Sequence, residues 1–302
     1  MVSAGLGAAY ASCDRLARTH YENFPVASRL LPARMRPHVA AVYAFARIAD
    51  DFADEGDRPS ADRLTDLRLW GERLDRAVNG ETAGGEPHAE VFTALVHTIA
   101  VCRLPPALFH DLLSAFAQDV TVKRYATWDD VLDYCRRSAN PVGRLVLRIA
   151  GYDRSDLDAA SDAVCTALQL TNFWQDLQID WGRGRLYVPA AIVHAHGADE
   201  KDLDAGRLTP AWKAVLSDVT DRTRALFDAG IPVADGVRGR LRVELRATWL
   251  GGTRILDKLE DADFDMFTHR PTLTAADVPL LLWRVITWRP VRARQRTKAA
   301  SG

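Results

Sequence analysis

The sequence predicts an all-α fold with a central cavity. Apolar residues recur at helical spacing through most of the chain, whereas the alternation typical of strands is nearly absent. Of the 302 residues, 48% are apolar, which allows a large buried core. No internal repeat and no long linker divides the chain, so residues 1–302 are expected to form one domain. Residues 290–302 are expected to form a flexible basic tail.

Proline and glycine punctuate the periodic segments of the first half. The predicted helices run from Pro37 to Asp54, from Ser60 to Gly80, from Pro87 through Ile99 and from Pro105 through Phe116. Proline is favoured in the first turn of a helix because its missing N–H has no intrahelical partner to lose there. Ser60 is expected to cap its helix through the side-chain oxygen.

The second half contains five further predicted helices. They run from Thr127 to Gly151, from Ser155 to Gly182, from Thr209 to Gly230, from Val237 to Asp261 and from Thr274 through Val285. Thr127 with Asp130 resembles a capping box, and Thr274 with Asp277 is the corresponding start of the last helix. Pro141 lies inside its pattern and predicts a kink or a break.

Charge and cysteine usage narrow the class of protein. The chain has 39 basic and 40 acidic residues, a balance that does not indicate a nucleic-acid-binding protein. The four cysteines, at positions 13, 102, 135 and 165, show neither metal-ligand spacing nor a disulfide framework. No signal peptide and no apolar stretch of bilayer length is visible. We therefore expect a reduced, cytoplasmic protein.

Two acidic clusters, far apart in the chain, are the most informative feature. Positions four apart lie on one face of a helix, so Asp50 lies beside Asp54, and Asn172, Asp176 and Asp180 form one stripe. Like charges at this spacing repel each other and weaken the helix. The arrangement is favourable when a hard cation lies between the clusters, and Mg²⁺ binds in this way through carboxylates and substrate phosphates. Taken singly, either cluster also fits a solvated helix face.

An enzyme that ionises an allylic or cyclopropylcarbinyl diphosphate needs cations for the departing diphosphate, a dry apolar pocket and aromatic faces for the carbocation. The acidic clusters and a helical core fit the first two needs. The candidate aromatic residues are Phe24, Phe45, Phe52, Phe173 and Trp174. For Phe24, Phe45, Phe173 and Trp174, ordinary core packing is the better explanation when each is taken alone.

The residues around both clusters resemble the squalene/phytoene synthase family. The resemblance rests on Tyr43, Arg47, Asp50-Asp51 and Asp54-Glu55, and on Leu168 to Asn172, Asp176, Asp180 and Gly184 to Pro189. It extends from about Tyr10 to about Leu273. It implies the all-α isoprenoid synthase fold and a head-to-head prenyl synthase activity.

The resemblance also implies roles for individual residues. Mg²⁺ bridging the substrate diphosphate is expected on Asp50, Asp54, Asn172, Asp176 and Asp180. Substrate contacts are implied for Arg47, Arg185, Tyr187 and Arg270 at the diphosphate, for Tyr43 and Tyr134 in the pocket, for His20 and Phe24 near its mouth, and for Asp51 beside the first motif. Tyr134 is further expected to assist proton transfer or diphosphate departure.

Departures from the common family pattern resemble one branch. Gln175 and Ile179 replace an Arg and a Glu, Cys135–Gly143 replaces a Val-Ala-Gly turn, and Gly251-Gly252 replaces a Leu-Tyr pair. Together with the Tyr21–Ser28 segment, these features are similar to the bacterial hydroxysqualene synthases of hopanoid biosynthesis. The implied substrate is presqualene diphosphate. Presqualene diphosphate synthase, squalene synthase and phytoene/dehydrosqualene synthase are the alternatives, with a non-catalytic scaffold as a remote one.

Capture of the cation by water would require no nicotinamide cofactor, and the sequence shows no Gly-rich dinucleotide fingerprint. Ser138 and Asn140, beside Pro141, are candidates to hold that water. Asn140 is equally well explained as a cap of the helix after the kink. The sister synthase that makes presqualene diphosphate is a further candidate partner.

The C-terminal segment mixes indole rings with cations. Its residues are Trp283, Arg284, Trp288, Arg289, Arg292, Arg294 and Arg296. Such a segment fits a lipid interface, which predicts a peripheral membrane contact. A core-packed helix followed by a frayed basic tail fits the same residues.

Overall fold

The computed structural model describes residues 2–19, 30–54, 58–81, 85–206, 208–268 and 270–288. Its helices are α1 Val2–Thr19, α2 Arg36–Asp54, α3 Ser60–Val78, α4 Ala89–Cys102, α5 Ala107–Thr121, α6 Trp128–Ser138, α7 Asn140–Ile149, α8 Ser155–Gln175, α9 Leu177–Gly182, α10 Ala190–Ala195, α11 Lys201–Asp204, α12 Pro210–Gly236, α13 Gly239–Asp261 and α14 Val278–Thr287. Within these ranges the only extended pairing is an isolated β-bridge between Arg124 and Leu186. The all-α prediction is confirmed.

The predicted helix starts and the predicted kink are mostly confirmed. Thr127 and Asp130 form a reciprocal capping box at the start of α6. Thr274 and Asp277 form a second one around a short 3₁₀ turn that leads into α14. Helix α6 ends and α7 begins on either side of Ala139, because Pro141 cannot continue the hydrogen-bonding of the preceding turn.

One predicted helix cap and one predicted helix end are wrong. Ser60 is the first residue of α3, behind Pro59, and its side chain makes no capping hydrogen bond. Helix α12 does not end at Gly230 but continues to Gly236. A Cβ atom at Gly230 would lie 2.4 Å from Cγ2 of Val164, so this glycine permits close packing of α12 on α8. The sequence analysis also did not predict α1, α10 and α11.

The predicted helix from Ser155 is divided in two. Asp176 lies between α8 and α9, where the backbone leaves regular helical geometry. Helix α8 is the central element of the bundle and packs most extensively against α12. Among the described residues, no helix has both the length and the apolarity needed to span a bilayer. All four cysteines are free thiols.

Helices α2, α5, α6, α7, α8, α12 and α13 surround a cavity of about 850 Å³. Its wall is apolar over much of its area and carries charged side chains at the ends of α2 and α8. The predicted central cavity is therefore present.

Candidate active site

One face of α2 contributes the first predicted cluster to the cavity. Tyr43, Arg47, Asp50 and Asp54 all line it, at spacings of three or four residues that keep them on one side of the helix. Val39, at the other end of the same face, lines it as well. Helical rise places Val39 and Asp54 about 22 Å apart, so α2 leads from an apolar end of the cavity to an acidic end.

The second cluster lies on the same cavity. Asn172, Asp176 and Asp180 all line it. The backbone N–H of Asp176 donates to the Asn172 carbonyl at 2.8 Å, and that of Asp180 donates to the Asp176 carbonyl at 2.9 Å. Because this four-residue bonding continues across the break between α8 and α9, the three side chains stay on one face. The predicted stripe survives a break that the sequence analysis did not predict.

One arginine links the two clusters, and two others pair with carboxylates inside one cluster each. Arg185, which follows α9, donates to Asp54 on α2 at 2.8 Å. Arg270 pairs with Asp176, and Arg47 pairs with Asp50 at 3.3 Å as well as with Asp51. The clusters therefore meet at one end of the cavity, and the three arginines already lie among the carboxylates there.

Negative charge at this end is only partly neutralised. Burial, followed by the neighbouring Asp54, raises the pKa of Asp50 to about 7. Burial, followed by Asp176, raises the pKa of Asp180 to about 6. The Asp50 side chain keeps 38% of its surface exposed, so water in the cavity reduces this effect. An added cation would stabilise both ionised forms.

These residues fit Mg²⁺ in donor chemistry, with help from a substrate. Within the described ranges, no three His, Cys, Asp or Glu side chains converge as a ready-made metal-ligand set. Asp50, Asp54 and Asp176 instead engage arginines. Mg²⁺ commonly takes one or two protein carboxylates and completes its shell with water and substrate phosphate oxygens. A pair of carboxylates on each side of the cavity suits that mode of binding better than a closed protein cage.

Asp119 is a functional candidate that the sequence analysis missed. It lines the cavity, and its Oδ2 accepts a 2.6 Å hydrogen bond from the hydroxyl of Tyr134. Burial raises its pKa to about 6, although the hydrogen bond from Tyr134 opposes that rise. Asp119 has no acidic neighbour at helical spacing and therefore did not stand out. The available signal was its continuation of the α5 face that carries Leu112 and Phe116, which also line the cavity.

An aromatic wall lies beside the carboxylates. The rings of Phe173 and Tyr187 stack in parallel with centroids 3.7 Å apart. Tyr134 lies 6.0 Å from Phe173 and 5.9 Å from Tyr187, and all three residues line the cavity. Such ring faces can stabilise a cation in a dry pocket.

Three of the aromatic candidates do not line the cavity, which corrects that expectation. Phe45 is fully buried among Trp70, Phe92 and Phe109. Trp174 is fully buried and donates to Thr223 at 2.9 Å, and Phe52 packs on Trp70. Core packing explains these three rings. His20 and Phe24 lie outside the described residues.

Asn140 does not face the cavity as expected. Its Oδ1 accepts a 2.9 Å hydrogen bond from the Thr166 hydroxyl, and Asn140 is not among the described residues that line the cavity. Ser138 does line the cavity, and its Oγ is buried with no hydrogen-bond partner among the described residues. Of the two candidates to hold a water, Ser138 is the one placed to do so. Asp51 and Arg270 are not among the described residues that line the cavity. They contact the site through ion pairs, Asp51 with Arg47 and Arg270 with Asp176.

A family model described as squalene/phytoene synthase matches residues 17–277. The chain belongs to the squalene/phytoene synthase family. A hydroxysqualene synthase from Rhodopseudomonas palustris is 37% identical over 253 residues, 82% of this chain and 83% of the relative. A phytoene synthase from Thermus thermophilus is 33% identical over 270 residues, 89% of each chain. The crystal structure of squalene synthase HpnC from Alicyclobacillus acidocaldarius superposes with a TM-score of 0.80 at 41% identity, covering 86% of this chain and 96% of that one.

Membership of the squalene/phytoene synthase family confirms the isoprenoid synthase helical fold. One departure from the family pattern has a visible structural consequence. Gln175 is buried, and its amide donates to the carbonyl of Pro271. This bond holds the segment that carries Arg270 beside Asp176, next to Gln175 in the chain.

A second departure shapes the cavity wall. A Cβ atom at Gly252 would lie 2.5 Å from Cζ of Phe227 and 2.7 Å from Cδ2 of Leu168. Leu168 lines the cavity. The space that a side chain at position 252 would need is therefore filled by Leu168 and Phe227. The buried acid Glu244 also lines this wall, and the sequence analysis did not single it out.

Proposed function

We propose that this chain converts presqualene diphosphate to hydroxysqualene with Mg²⁺ and without a nicotinamide cofactor. The observation that carries the proposal is the placement of two acidic clusters and three arginines at one end of a cavity whose remaining wall is largely apolar. That arrangement suits a substrate with a diphosphate head and a long hydrocarbon body. The 37% identical hydroxysqualene synthase supports this branch of the family.

The reaction begins when the bond between the carbinyl carbon and the diphosphate oxygen breaks, and the electron pair leaves with the diphosphate. Bound Mg²⁺ would neutralise the departing charge. Arg47, Arg185 and Arg270 are placed to exchange a carboxylate partner for a diphosphate oxygen. The Phe173 and Tyr187 ring faces would stabilise the cation during its rearrangement.

Water then attacks the rearranged cation, and loss of one proton gives the alcohol. The apolar wall keeps other water away from the cation, which limits unselective capture. Ser138 offers a hydroxyl on this wall, and no described residue competes for it. Asp119 and Tyr134 form a hydrogen-bonded pair that can accept or pass on the released proton.

A product assay tests this proposal. Purified protein with Mg²⁺ and no nicotinamide would receive presqualene diphosphate or farnesyl diphosphate in separate reactions, with products identified by mass spectrometry. Hydroxysqualene from presqualene diphosphate, with farnesyl diphosphate untouched, is the expected result. Consumption of farnesyl diphosphate would move the chain to a condensing activity. The 33% identical phytoene synthase makes longer prenyl diphosphates the next substrates to supply.

Ser138→Ala is expected to lower the share of alcohol among the products by about three- to tenfold, the effect of losing one hydrogen bond to the attacking water. Hydrocarbons formed by proton loss should increase in its place. The measurement is the product ratio by mass spectrometry. Ser161→Ala is the matched control, because Ser161 also lines the cavity but its hydroxyl already bonds the Cys165 thiol. Equal product ratios in the Ser138 variant and the unmodified protein would reject this role.

A further inference from the structure

A strap, residues 270–277, connects the acidic end of the cavity with the start of α14. It begins at Arg270, which pairs with Asp176, and it ends in the short 3₁₀ turn Ala275–Asp277. Residues 270–274 belong to no helix. The position of Arg270 therefore depends on the side chains that hold the strap against its neighbours, rather than on a helical backbone of its own.

Two neighbouring helices hold the strap directly after Arg270. The buried amide of Gln175, the last residue of α8, donates to the carbonyl of Pro271. The ammonium of Lys258 on α13 donates to the carbonyl of Thr272 at 2.7 Å. Consecutive carbonyls are thus bonded to different helices, which fixes the backbone beside the guanidinium.

The far end of the strap is fixed through Asp277, whose side chain is only 5% exposed. It accepts hydrogen bonds from Lys258 at 2.6 Å and from Arg254 at 2.9 Å, both on α13. Its Oδ2 also accepts from the backbone N–H of Thr274 in the capping box. Separating a buried carboxylate from such partners is costly, so this end of the strap stays on α13 when Arg270 changes partner.

Two of the departures from the common family pattern contact this strap. One is Gln175, which supplies the bond to Pro271. The other is Gly251, where a Cβ atom would lie 3.3 Å from Cδ1 of Leu273. A larger side chain at position 251 would need the space that Leu273 occupies and would push the strap away from α13. An amide on α8 and a missing side chain on α13 therefore favour the same position of the strap.

The guanidinium of Arg270 can move although its backbone is held. Its side chain is 44% exposed, and it pairs with Asp176, which lines the cavity. A diphosphate bound there would offer the oxygen atoms that arginine binds well. Because the strap already holds the backbone, exchange of Asp176 for the diphosphate needs only a rotation of the side chain, which lowers the ordering cost of binding.

We propose that Gln175 and Gly251 are positioning residues for diphosphate binding, because they seat the strap that presents Arg270 at the second acidic cluster. They act through Arg270 and do not touch the diphosphate themselves. The inference rests on the proposed function only in requiring a diphosphate with Mg²⁺ at this end of the cavity. It is independent of the prenyl group and of the fate of the cation.

Calorimetric titration of the full chain with pyrophosphate in the presence of Mg²⁺ tests the proposal. Arg270→Gln is expected to weaken pyrophosphate binding about tenfold or more, because a charge-assisted hydrogen bond is lost. Gln175→Leu should weaken it about fivefold, since Arg270 keeps its charge but loses its fixed position. In the double variant, Gln175→Leu should add nothing to the loss from Arg270→Gln. A residue that only supported the fold would add its loss whether or not Arg270 is present.

A second pair of variants tests Gly251 without removing a hydrogen bond. Gly251→Leu should weaken pyrophosphate binding about as much as Gln175→Leu does, and adding Leu273→Ala should restore most of the affinity by vacating the space. Gln178→Leu is the matched control, because it makes the same change at an exposed residue of α9 that is absent from the described cavity lining. This control should bind pyrophosphate like the unmodified protein, and thermal melts should show that every variant is folded.

Unchanged affinity in Gln175→Leu, or losses that add in the double variant, would overturn the proposal. If Gln175→Leu does not fold, the Gly251 pair decides, and failure of Leu273→Ala to restore binding rejects the proposal. An unmodified protein that binds no pyrophosphate with Mg²⁺ would reject the metal site of the proposed function together with this inference. A protein that shows the expected affinities but makes another product would lose only the proposed reaction.

Discussion

Mg²⁺ and pyrophosphate together should stabilise the unmodified protein, and Asp50→Asn should abolish this stabilisation and lower turnover by about 10³-fold or more. Asparagine keeps the shape of the side chain but removes the charge that would hold the metal. The remaining carboxylate of the first cluster, Asp54, is paired with Arg185. On the α2 side, the described cavity lining would therefore keep Asp54 as its one carboxylate, and Arg185 already engages it.

The same substitution should stabilise the protein in the absence of ligand. Burial and Asp54 raise the pKa of Asp50 to about 7, so the ionised carboxyl destabilises the folded state at alkaline pH. Because the unfolded carboxyl titrates near 3.9, this cost is absent at very low pH and grows as pH rises to about 7. The melting temperature of the variant should thus exceed that of the unmodified protein at pH 8, and the gain should shrink toward pH 4.

Thermal melts with no addition, Mg²⁺, pyrophosphate and both together provide the measurement, because only a bound ligand raises the melting temperature. Asp221→Asn is the matched control, since Asp221 is exposed on α12 and absent from the described cavity lining. It should retain the full response to Mg²⁺ with pyrophosphate. If Asp50→Asn retained that response too, the metal assignment on α2 would be wrong. This result is independent of the product assay, which tests only the fate of the cation.

The sequence predicted the features that depend on local spacing. Carboxylates four residues apart share a helix face whatever the rest of the chain does, so both clusters could be placed on helices before their neighbours were known. The capping boxes at Thr127 and Thr274 are equally local, since each closes within three residues. Pro141 breaks its helix through its own ring and missing N–H.

Contacts between distant elements could not be predicted in this way. Asp119 and Tyr134 lie on different helices, and their hydrogen bond follows from how α5 packs beside α6. The pair of Arg185 with Asp54 depends on the meeting of α2 with the segment after α9. Hydrophobic periodicity indicates that a helix face is buried, but it does not indicate whether that face lies against the core or lines the cavity. Phe45 was therefore a candidate for the cavity as well as for the core, and only the structure shows that it lies in the core.

Tyr134→Phe is expected to lower turnover by about 10²-fold and to make stability more sensitive to alkaline pH. The Tyr134 hydroxyl donates to Oδ2 of Asp119, and Oδ1 has no partner among the described residues. Without the Tyr134 hydroxyl, the ionised form of the buried Asp119 carboxyl would lose a hydrogen bond that stabilises it. The pKa of Asp119, already raised to about 6 by burial, should rise further because the hydrogen bond from Tyr134 lowers it.

The sign of the pH effect follows from proton binding. The folded carboxyl binds its proton more tightly than the unfolded one, which titrates near 3.9, so stability falls as pH rises between about 4 and about 6. In the variant this fall should continue to higher pH. Denaturant titrations should show a loss of about 1–3 kcal/mol in unfolding free energy at pH 8 and a smaller loss at pH 4.

Tyr125→Phe is the matched control for this prediction. The Tyr125 ring lies 5.8 Å from that of Tyr134, but its hydroxyl accepts from Gln118 at 3.3 Å rather than bonding Asp119. Its stability should therefore keep the pH dependence of the unmodified protein. Adding Asp119→Asn to Tyr134→Phe should remove the extra loss at pH 8, because no carboxyl remains to ionise. If the double variant kept that extra loss, ionisation of Asp119 would not be its cause. The hydrogen bond between Tyr134 and Asp119 would then only hold the two side chains in position.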